Sequence, residues 1–330
     1  MTILVTGGAG YIGSHMVWCL LDAHEDVVVL DRLSTGFRWA VAPEAKFYEG
    51  DIGDSELLNR IFASHDIEAI IHFAGSVVVP ESVADPLTYY DNNTVKSRAL
   101  IASAVKAKIS YFVFSSTAAV YGTPDGNGPV NEAAPLRPES PYGSSKLMTE
   151  IMLKDAAFAH DITYTVLRYF NVAGADVHGR TGQSTAGATH LIKVACEAAL
   201  GKRNGIDVYG ADYPTPDGTC IRDFIHVTDL VNAHLRALER MRAGGSSIVA
   251  NCGYGRGFSV LDVLHQVKQA SGVDFPVRIV ERRPGDAVSV VADPMRITRE
   301  LAWEPCHDDL NFIVRTSLDW ESRLSRRNTY

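Results

Sequence analysis

Short runs of apolar and β-branched residues recur through the first half of the chain, at positions 2–6, 26–30, 46–49, 69–73, 111–115 and 163–167. Between them lie longer stretches of helical character at 13–22, 55–64, 86–106 and 142–158. Runs such as Val27-Val28-Val29-Leu30 and Ala69-Ile70-Ile71-His72-Phe73 show almost no polar alternation. A strand that is apolar on both faces has to be covered on both. The pattern therefore predicts a parallel sheet with right-handed helical crossovers, an α/β doubly wound core. After Asn171 the texture changes to Gly-, Thr- and Pro-rich stretches at 173–187 and 210–219 between shorter elements, which predicts a second, smaller α/β lobe. A further helix is expected at 229–241 and a further strand at 247–251, the latter rejoining the first sheet. The expected division is interleaved: residues 1–172, with about 220–251, form the first domain, and 173–219 with 252–330 the second.

Composition narrows the function classes. The 330 residues suit about two domains. With 46% hydrophobic and 21% charged residues, the chain is that of a folded globular protein. The net charge of −8 argues against a surface built to neutralise nucleic-acid phosphates. No apolar run reaches the ~18 residues of a membrane span, and no export signal is recognisable at the start, so a cytoplasmic protein is expected. Five cysteines, Cys19, Cys196, Cys220, Cys252 and Cys306, are scattered without a Cys-x-x-Cys pair. That spacing fits neither a disulfide framework nor a zinc site, and reduced cysteines and no metal are expected.

Directly after the first predicted strand stands Gly7-Gly8-Ala9-Gly10-Tyr11-Ile12-Gly13. Glycines there let the backbone approach a pyrophosphate, and the N-terminus of the following helix stabilises its charge. Asp31, at the end of the second strand, follows at the spacing at which a carboxylate takes up the adenosine ribose hydroxyls. Its charge would oppose a 2'-phosphate, so NAD is expected over NADP, although Arg32 beside it offers such a phosphate a partner. Further along, Tyr142-Gly-Ser-Ser-Lys146 places a phenol and an ammonium one helical turn apart. A neighbouring cation favours the phenolate and suits the pair to proton transfer. Thr117 ends a predicted strand and offers a hydroxyl at the sheet edge where α/β proteins bind ligands. Ser115 and Ser116 beside it read equally well as site residues or as loop residues serving the local backbone.

With these motifs in place the chain resembles the extended short-chain dehydrogenase/reductase family, and within it the nucleotide-sugar epimerases. The likeness runs from residue 2 to about 320, through Gly-Asp-Ile (50–52), His-Phe-Ala-Gly (72–75), Tyr-Tyr-Asp-Asn-Asn (89–93), Ser-Pro-Tyr-Gly-Ser-Ser-Lys (140–146), Leu-Arg-Tyr-Phe-Asn (167–171), Asp-Tyr-Pro-Thr-x-Asp-Gly-Thr (212–219), Arg-Asp-Phe-Ile-His-Val (222–227) and Arg-Arg-x-Gly-Asp (282–286). The resemblance implies that Tyr142, Lys146 and Thr117 are catalytic. It implies that Gly7, Gly10, Tyr11, Ile12, Gly13, Asp31, Asp51, Ile52, Phe73, Ala74, Asn92, Ser115, Tyr142, Lys146 and Tyr169 hold NAD. It further implies that Thr117, Tyr142, Asn171, His190, Leu191, Tyr209, Arg222, Arg283, Asp286 and Val290 hold a UDP-sugar. Arginines suit the diphosphate and a carboxylate suits ribose hydroxyls. The implied reaction interconverts UDP-glucose and UDP-galactose through a 4-keto sugar, and the implied assembly is a homodimer built on the helices at 86–106 and 142–158.

Two positions depart from the family pattern. Val77 stands where relatives carry a lysine near the cofactor phosphates, and Val290 stands where the sugar pocket holds a tyrosine in some members and a small residue in others. Three other readings compete. Nucleotide-sugar dehydratases share the loop and the Tyr/Lys pair but follow the strand-end threonine with acids, whereas Ala118 and Ala119 follow Thr117. Epimerases of UDP-N-acetylhexosamines, UDP-pentoses or UDP-glucuronate need the same catalytic groups. A non-catalytic NAD-binding regulator would keep the glycine loop but have no use for Tyr142, Lys146 and Thr117 together.

Overall fold

The computed structural model describes residues 1–126, 128–283 and 285–324; the last six residues of the expected second lobe lie outside the described residues. Its strands are β1 (Thr2–Thr6), β2 (Asp26–Asp31), β3 (Lys46–Glu49), β4 (Ile67–His72), β5 (Tyr111–Thr117), β6 (Thr163–Tyr169), β7 (Asn171–Ala173), β8 (Ile206–Tyr209), β9 (Ile221–His226), β10 (Ile248–Cys252), β11 (Gly257–Ser259), β12 (Val277–Val280) and β13 (Ser289–Val290). Its α-helices are α1 (Tyr11–Asp22), α2 (Ser55–Ser64), α3 (Val79–Ala84), α4 (Pro86–Tyr90), α5 (Lys96–Lys106), α6 (Pro141–Ala159), α7 (Leu191–Ala199), α8 (Val227–Arg242), α9 (Val260–Ser271), α10 (Met295–Leu301) and α11 (Leu310–Leu324).

Seven strands form one parallel sheet in the order β10-β6-β5-β4-β1-β2-β3. The fold is the expected doubly wound α/β core. Each face carries its own apolar layer, as strands with hydrophobic residues on both sides require. One packs Ile3, Val5 and Val29 against α1 and α8, and the other packs Leu4, Ile70, Phe112 and Val166 against α2, α5 and α6. Strand β10 lies at the edge of this sheet in register with β6, from Ile248 opposite Thr165 to Cys252 opposite Tyr169. Strand β9 instead pairs with β7, β11 and β13 in a four-stranded sheet of the second lobe, where a parallel β8–β12 pair and helices α7, α9 and α11 enclose a third apolar cluster.

The stretch expected to be one helix at 86–106 is interrupted. Between α4 and α5 the residues Asp91–Val95 form a π turn. Such a bulge shifts the helix register by one residue, and here it presents Asn92 and Asn93 differently from the periodic pattern. Thr149 Oγ1 of α6 donates to the Asn93 carbonyl at 3.0 Å, tying the bulge to the helix that carries the Tyr/Lys pair.

Candidate functional site

The glycine loop fits its role by geometry. A Cβ on Gly13 would stand 2.1 Å from the Gly7 carbonyl oxygen, and one on Gly7, whose φ is +73°, would stand 2.6 Å from the Ala74 nitrogen. Only side-chain-free residues allow β1, the start of α1 and the β4 exit at Phe73 and Ala74 to close this tightly. Tyr11 and Ile12 open α1, and the N-terminus so presented is a ready anion site. Asp31 ends β2 over the loop, accepting the Ala9 N–H at 2.9 Å and the Leu33 N–H at 2.8 Å, and burial raises its carboxyl above the usual range. Asp51 and Ile52 follow β3. Asp51 accepts from Lys96 Nζ at 2.9 Å and from Arg32 Nη1 at 3.2 Å, and Asn92 Oδ1 accepts from the same two cations. Arg32 is thus engaged by Asp51, Asn92 and Ser34.

Tyr142 sits in the first turn of α6. Pro141 fixes the start of that helix, and the Ser140 hydroxyl caps it by accepting the Gly143 N–H at 3.2 Å. A Cβ on Gly143 would meet the Ala119 carbonyl oxygen at 2.5 Å, so a glycine there lets α6 press onto the turn Ala118–Val120. That contact brings Tyr142 to Thr117, whose side chain hydrogen-bonds it. The expected influence of Lys146 on the phenol does not emerge. Burial pushes the Tyr142 hydroxyl up, and the Thr117 hydrogen bond is what opposes it. The Lys146 ammonium is turned onto the Ser115 carbonyl at 3.0 Å and the face of Phe114, and burial brings it down to about 8.

Ser115 is fully buried, and its hydroxyl is spent on His234 Nε2 at 2.7 Å. Its share in the site is the carbonyl that Lys146 takes up. Phe73 packs on the same His234 ring, with centroids 4.9 Å apart.

Between the lobes lies a cleft of about 1430 Å³. It is lined by Tyr11, Thr117, Tyr142 and Tyr169 from the first sheet's side, and by Asn171, His190, Leu191, Tyr209, Arg222, Arg283, Asp286 and Val290 from the other. Arg283 Nη2 holds Asp286 Oδ1 at 2.9 Å, and Arg222 stands 3.9 Å from the same oxygen while its Nη1 donates to the Ala287 carbonyl at 2.8 Å. Two guanidinium groups around one carboxylate leave a net positive wall facing the cleft, suited to a diphosphate. Val77, half exposed, stands on the cleft rim.

Some residues that matter here were not singled out in the sequence. Asn93 accepts the Ser76 N–H at 2.7 Å and donates to the Ser76 carbonyl and to Ser145, fixing the loop beyond β4 against α6. Asp223, next to Arg222, accepts the N–H groups of Tyr254, Gly255 and Ala292 and so joins β9 to the β10 and β13 ends; burial raises its carboxyl to about 6. The first had a signal in the Asp-Asn-Asn string at 91–93, the second in the Arg-Asp pair at 222–223.

A glycine-cradled helix N-terminus and a Tyr/Lys/Thr cluster on one side of a cleft, with an arginine wall on the other, are joined by a decisive match: the model of the NAD dependent epimerase/dehydratase family fits residues 3–253. The chain belongs to that family. It is 54% identical over 324 residues to the UDP-glucose 4-epimerase of Azospirillum brasilense, covering 98% of this chain and 93% of that protein. Among solved structures it superposes on the UDP-glucose 4-epimerase of Brucella ovis in complex with NAD, with a TM-score of 0.94, 41% identity and coverage of 96% and 97%. It also superposes on the UDP-Glc/GlcNAc 4-epimerase of Campylobacter jejuni, with a TM-score of 0.86, 45% identity and coverage of 98% and 99%. Among the described residues no cluster of three or more His, Cys, Asp or Glu is placed to hold a metal, and no helix is long and apolar enough to cross a membrane.

Proposed function

We propose that the protein interconverts UDP-glucose and UDP-galactose as an NAD-dependent 4-epimerase. The observation that carries this reading is the meeting of Tyr142, Thr117 and Lys146 at a cleft whose opposite wall is Arg222, Arg283 and Asp286. NAD fits the Gly7–Gly13 cradle and Asp31, which would hold it, and when bound it would supply a reversible two-electron acceptor for C4, so no outside oxidant is needed. Tyr142 accepts the proton of the sugar 4-hydroxyl with Thr117 bonded to its oxygen, and returns a proton to that same sugar oxygen when the ketone is reduced at C4 from its other face. A cation brought near the phenol favours its ionised form. Lys146 holds the ribose of the cofactor from the Ser115 edge. Arg222, Arg283, Asp286, Asn171, His190, Leu191 and Tyr209 grip the UDP part, which anchors the substrate away from the reacting carbon while the sugar turns.

Ala118 and Ala119 form the turn after Thr117, so the acid that dehydration needs has no counterpart there. A second reading, action on UDP-N-acetylhexosamines as well, is favoured by Val290, a small side chain on the cleft wall.

For assembly we propose a homodimer on α4, the π turn and α6, where Leu87, Val95, Met148, Ile151 and Phe158 leave apolar side chains exposed. We place the protein in the cytoplasm on its five unpaired cysteines. Incubating purified protein with a panel of UDP-sugars and resolving the products by chromatography tests the activity; failure to interconvert UDP-glucose and UDP-galactose refutes it.

A further inference from the structure

Under the Tyr142–Lys146 pair lies an ion pair that neither the site nor the apolar core accounts for. Glu150 follows Lys146 by one turn of α6 and is 6% exposed. Arg168 on β6, 4% exposed, grips it through Nε at 3.1 and 3.2 Å and through Nη2. The Ser116 hydroxyl donates to Glu150 as well, and Arg168 Nη1 donates to Tyr121 Oη at 3.0 Å. The strand register explains the placement. Ser116 pairs with Arg168 on β5 and β6, and the next step along pairs Thr117 with Tyr169. Successive side chains point to opposite faces, so Thr117 and Tyr169 rise into the cleft while Ser116 and Arg168 turn toward α6.

We propose that Glu150, clamped by Arg168 and Ser116, is a positioning residue whose charge sets the proton affinity of the Tyr142–Lys146 pair. The inference rests on the catalytic reading of that pair. Two charges buried together are costly to maintain, and they return a specific geometry and field. Here the carboxylate is the member that acts on Lys146, opposing the fall that burial imposes on the ammonium. The other titratable groups around the pair contribute little charge. His72 of β4 is held down to about 3, and His234 of α8 to about 4. Tyr89 of α4, bonded to Glu81 of α3 at 2.7 Å, and Tyr169 of β6 are both pushed up, burial being the main cause. What remains near the pair is the Glu150–Arg168 couple.

Tyr142 and Lys146 lie one turn apart on α6, so a nearby charge acts with the same sign on whichever of them releases the proton. Loss of the Glu150 charge makes the pair release its proton at lower pH, and loss of the Arg168 charge at higher pH. The form competent for proton acceptance is the one that has released a proton, so kcat rises with pH through this step. The test is the pH dependence of kcat on UDP-galactose for NAD-loaded protein. Glu150→Gln should move the rising limb down by about one pH unit, Arg168→Met should move it up, and Glu150→Asp, which keeps the charge, should return it to the wild-type position. A merely structural role predicts lower kcat with the limb unmoved, or moved alike in both charge-removing variants, and either result overturns the proposal. If Glu150→Gln does not fold, the upward shift in Arg168→Met decides alone. Tyr142→Phe in the same assay separates the two levels: near wild-type turnover there refutes the catalytic reading, whereas loss of turnover with unmoved limbs refutes only the role of Glu150.

Discussion

Lowering the pH from 7.5 to 5 should cost this protein several kcal/mol of stability through four histidines buried around its site. His72 lies between Thr6 Oγ1 at 2.7 Å and Ser97 Oγ at 2.8 Å, and burial depresses it to about 3. His226, depressed to about 3 by burial and by His307, bonds the Thr228 N–H and the Thr316 hydroxyl. His234, which holds Ser115, and His15, whose ring takes up the Tyr11 carbonyl, are both depressed to about 4 by burial. In the unfolded chain all four protonate near 6.5 and in the folded protein they do not. The unfolded state therefore binds more protons, and stability is lost as pH falls through 6.5 and levels off below about 3. At pH 5 each ring contributes a loss of about 2 kcal/mol, or about 8 in all. Asp223 works in the opposite sense, since its carboxyl is raised to about 6. The folded protein holds that proton more tightly, and protonation at pH 5 returns about 1.4 kcal/mol. A net loss of about 6 to 7 kcal/mol is expected. Urea unfolding at fixed ionic strength and a series of pH values measures it, with the m-value checking that the transition stays two-state. A fall of less than about 2 kcal/mol, or imidazole resonances of these rings titrating near 6.5 in the folded protein, would show that the burial argument is wrong.

Other expectations concern the site. Tyr142→Phe should lower kcat by about a hundred- to ten-thousand-fold while leaving the fold and bound NAD in place, read by initial rates and by dinucleotide released on denaturation. Because Val77 supplies no cation at the cleft rim, NAD should be retained incompletely and added NAD should stimulate turnover; stoichiometric NAD without stimulation refutes this, and recovery of NADP alone refutes the role given to Asp31. UDP-N-acetyl sugars should enter beside Val290 and turn over more slowly than UDP-glucose, since unpaired acetamido groups cost about 1 to 3 kcal/mol. Val290→Tyr should selectively abolish that second activity, and an unchanged ratio of the two activities shows that the residue does not gate the cleft.

What could be read along the chain, and what could not, divides by the range of the physics. The glycine string was legible because backbone approach excludes a Cβ at fixed positions, as Gly7 and Gly13 show. The Tyr142–Lys146 pair was legible because a helix turn and the Pro141 start are both local. The sheet was legible because residues apolar on both faces leave a strand no exposed side. The π turn at Asp91–Val95 was not, since a period of 3.6 with one extra residue is indistinguishable from a regular helix over so short a run. Ser115 shows the deeper limit. Ser116 and Thr117, one and two residues further along, carry the same hydroxyl group, yet the first meets Glu150, the second faces the cleft, and Ser115 itself is consumed by His234 on α8. Which hydroxyl serves chemistry is fixed by where β5 lies between β4 and β6 and by what covers each face, and those partners are far away in the chain. The same holds for Glu150, an ordinary helical glutamate until the register of β5 and β6 sets Arg168 and Ser116 against it. Groups that touch substrate lie on local motifs, whereas the groups that tune them come from across the sheet. Loss of activity in single-site variants of the motifs cannot reveal this second set; a displaced pH profile can.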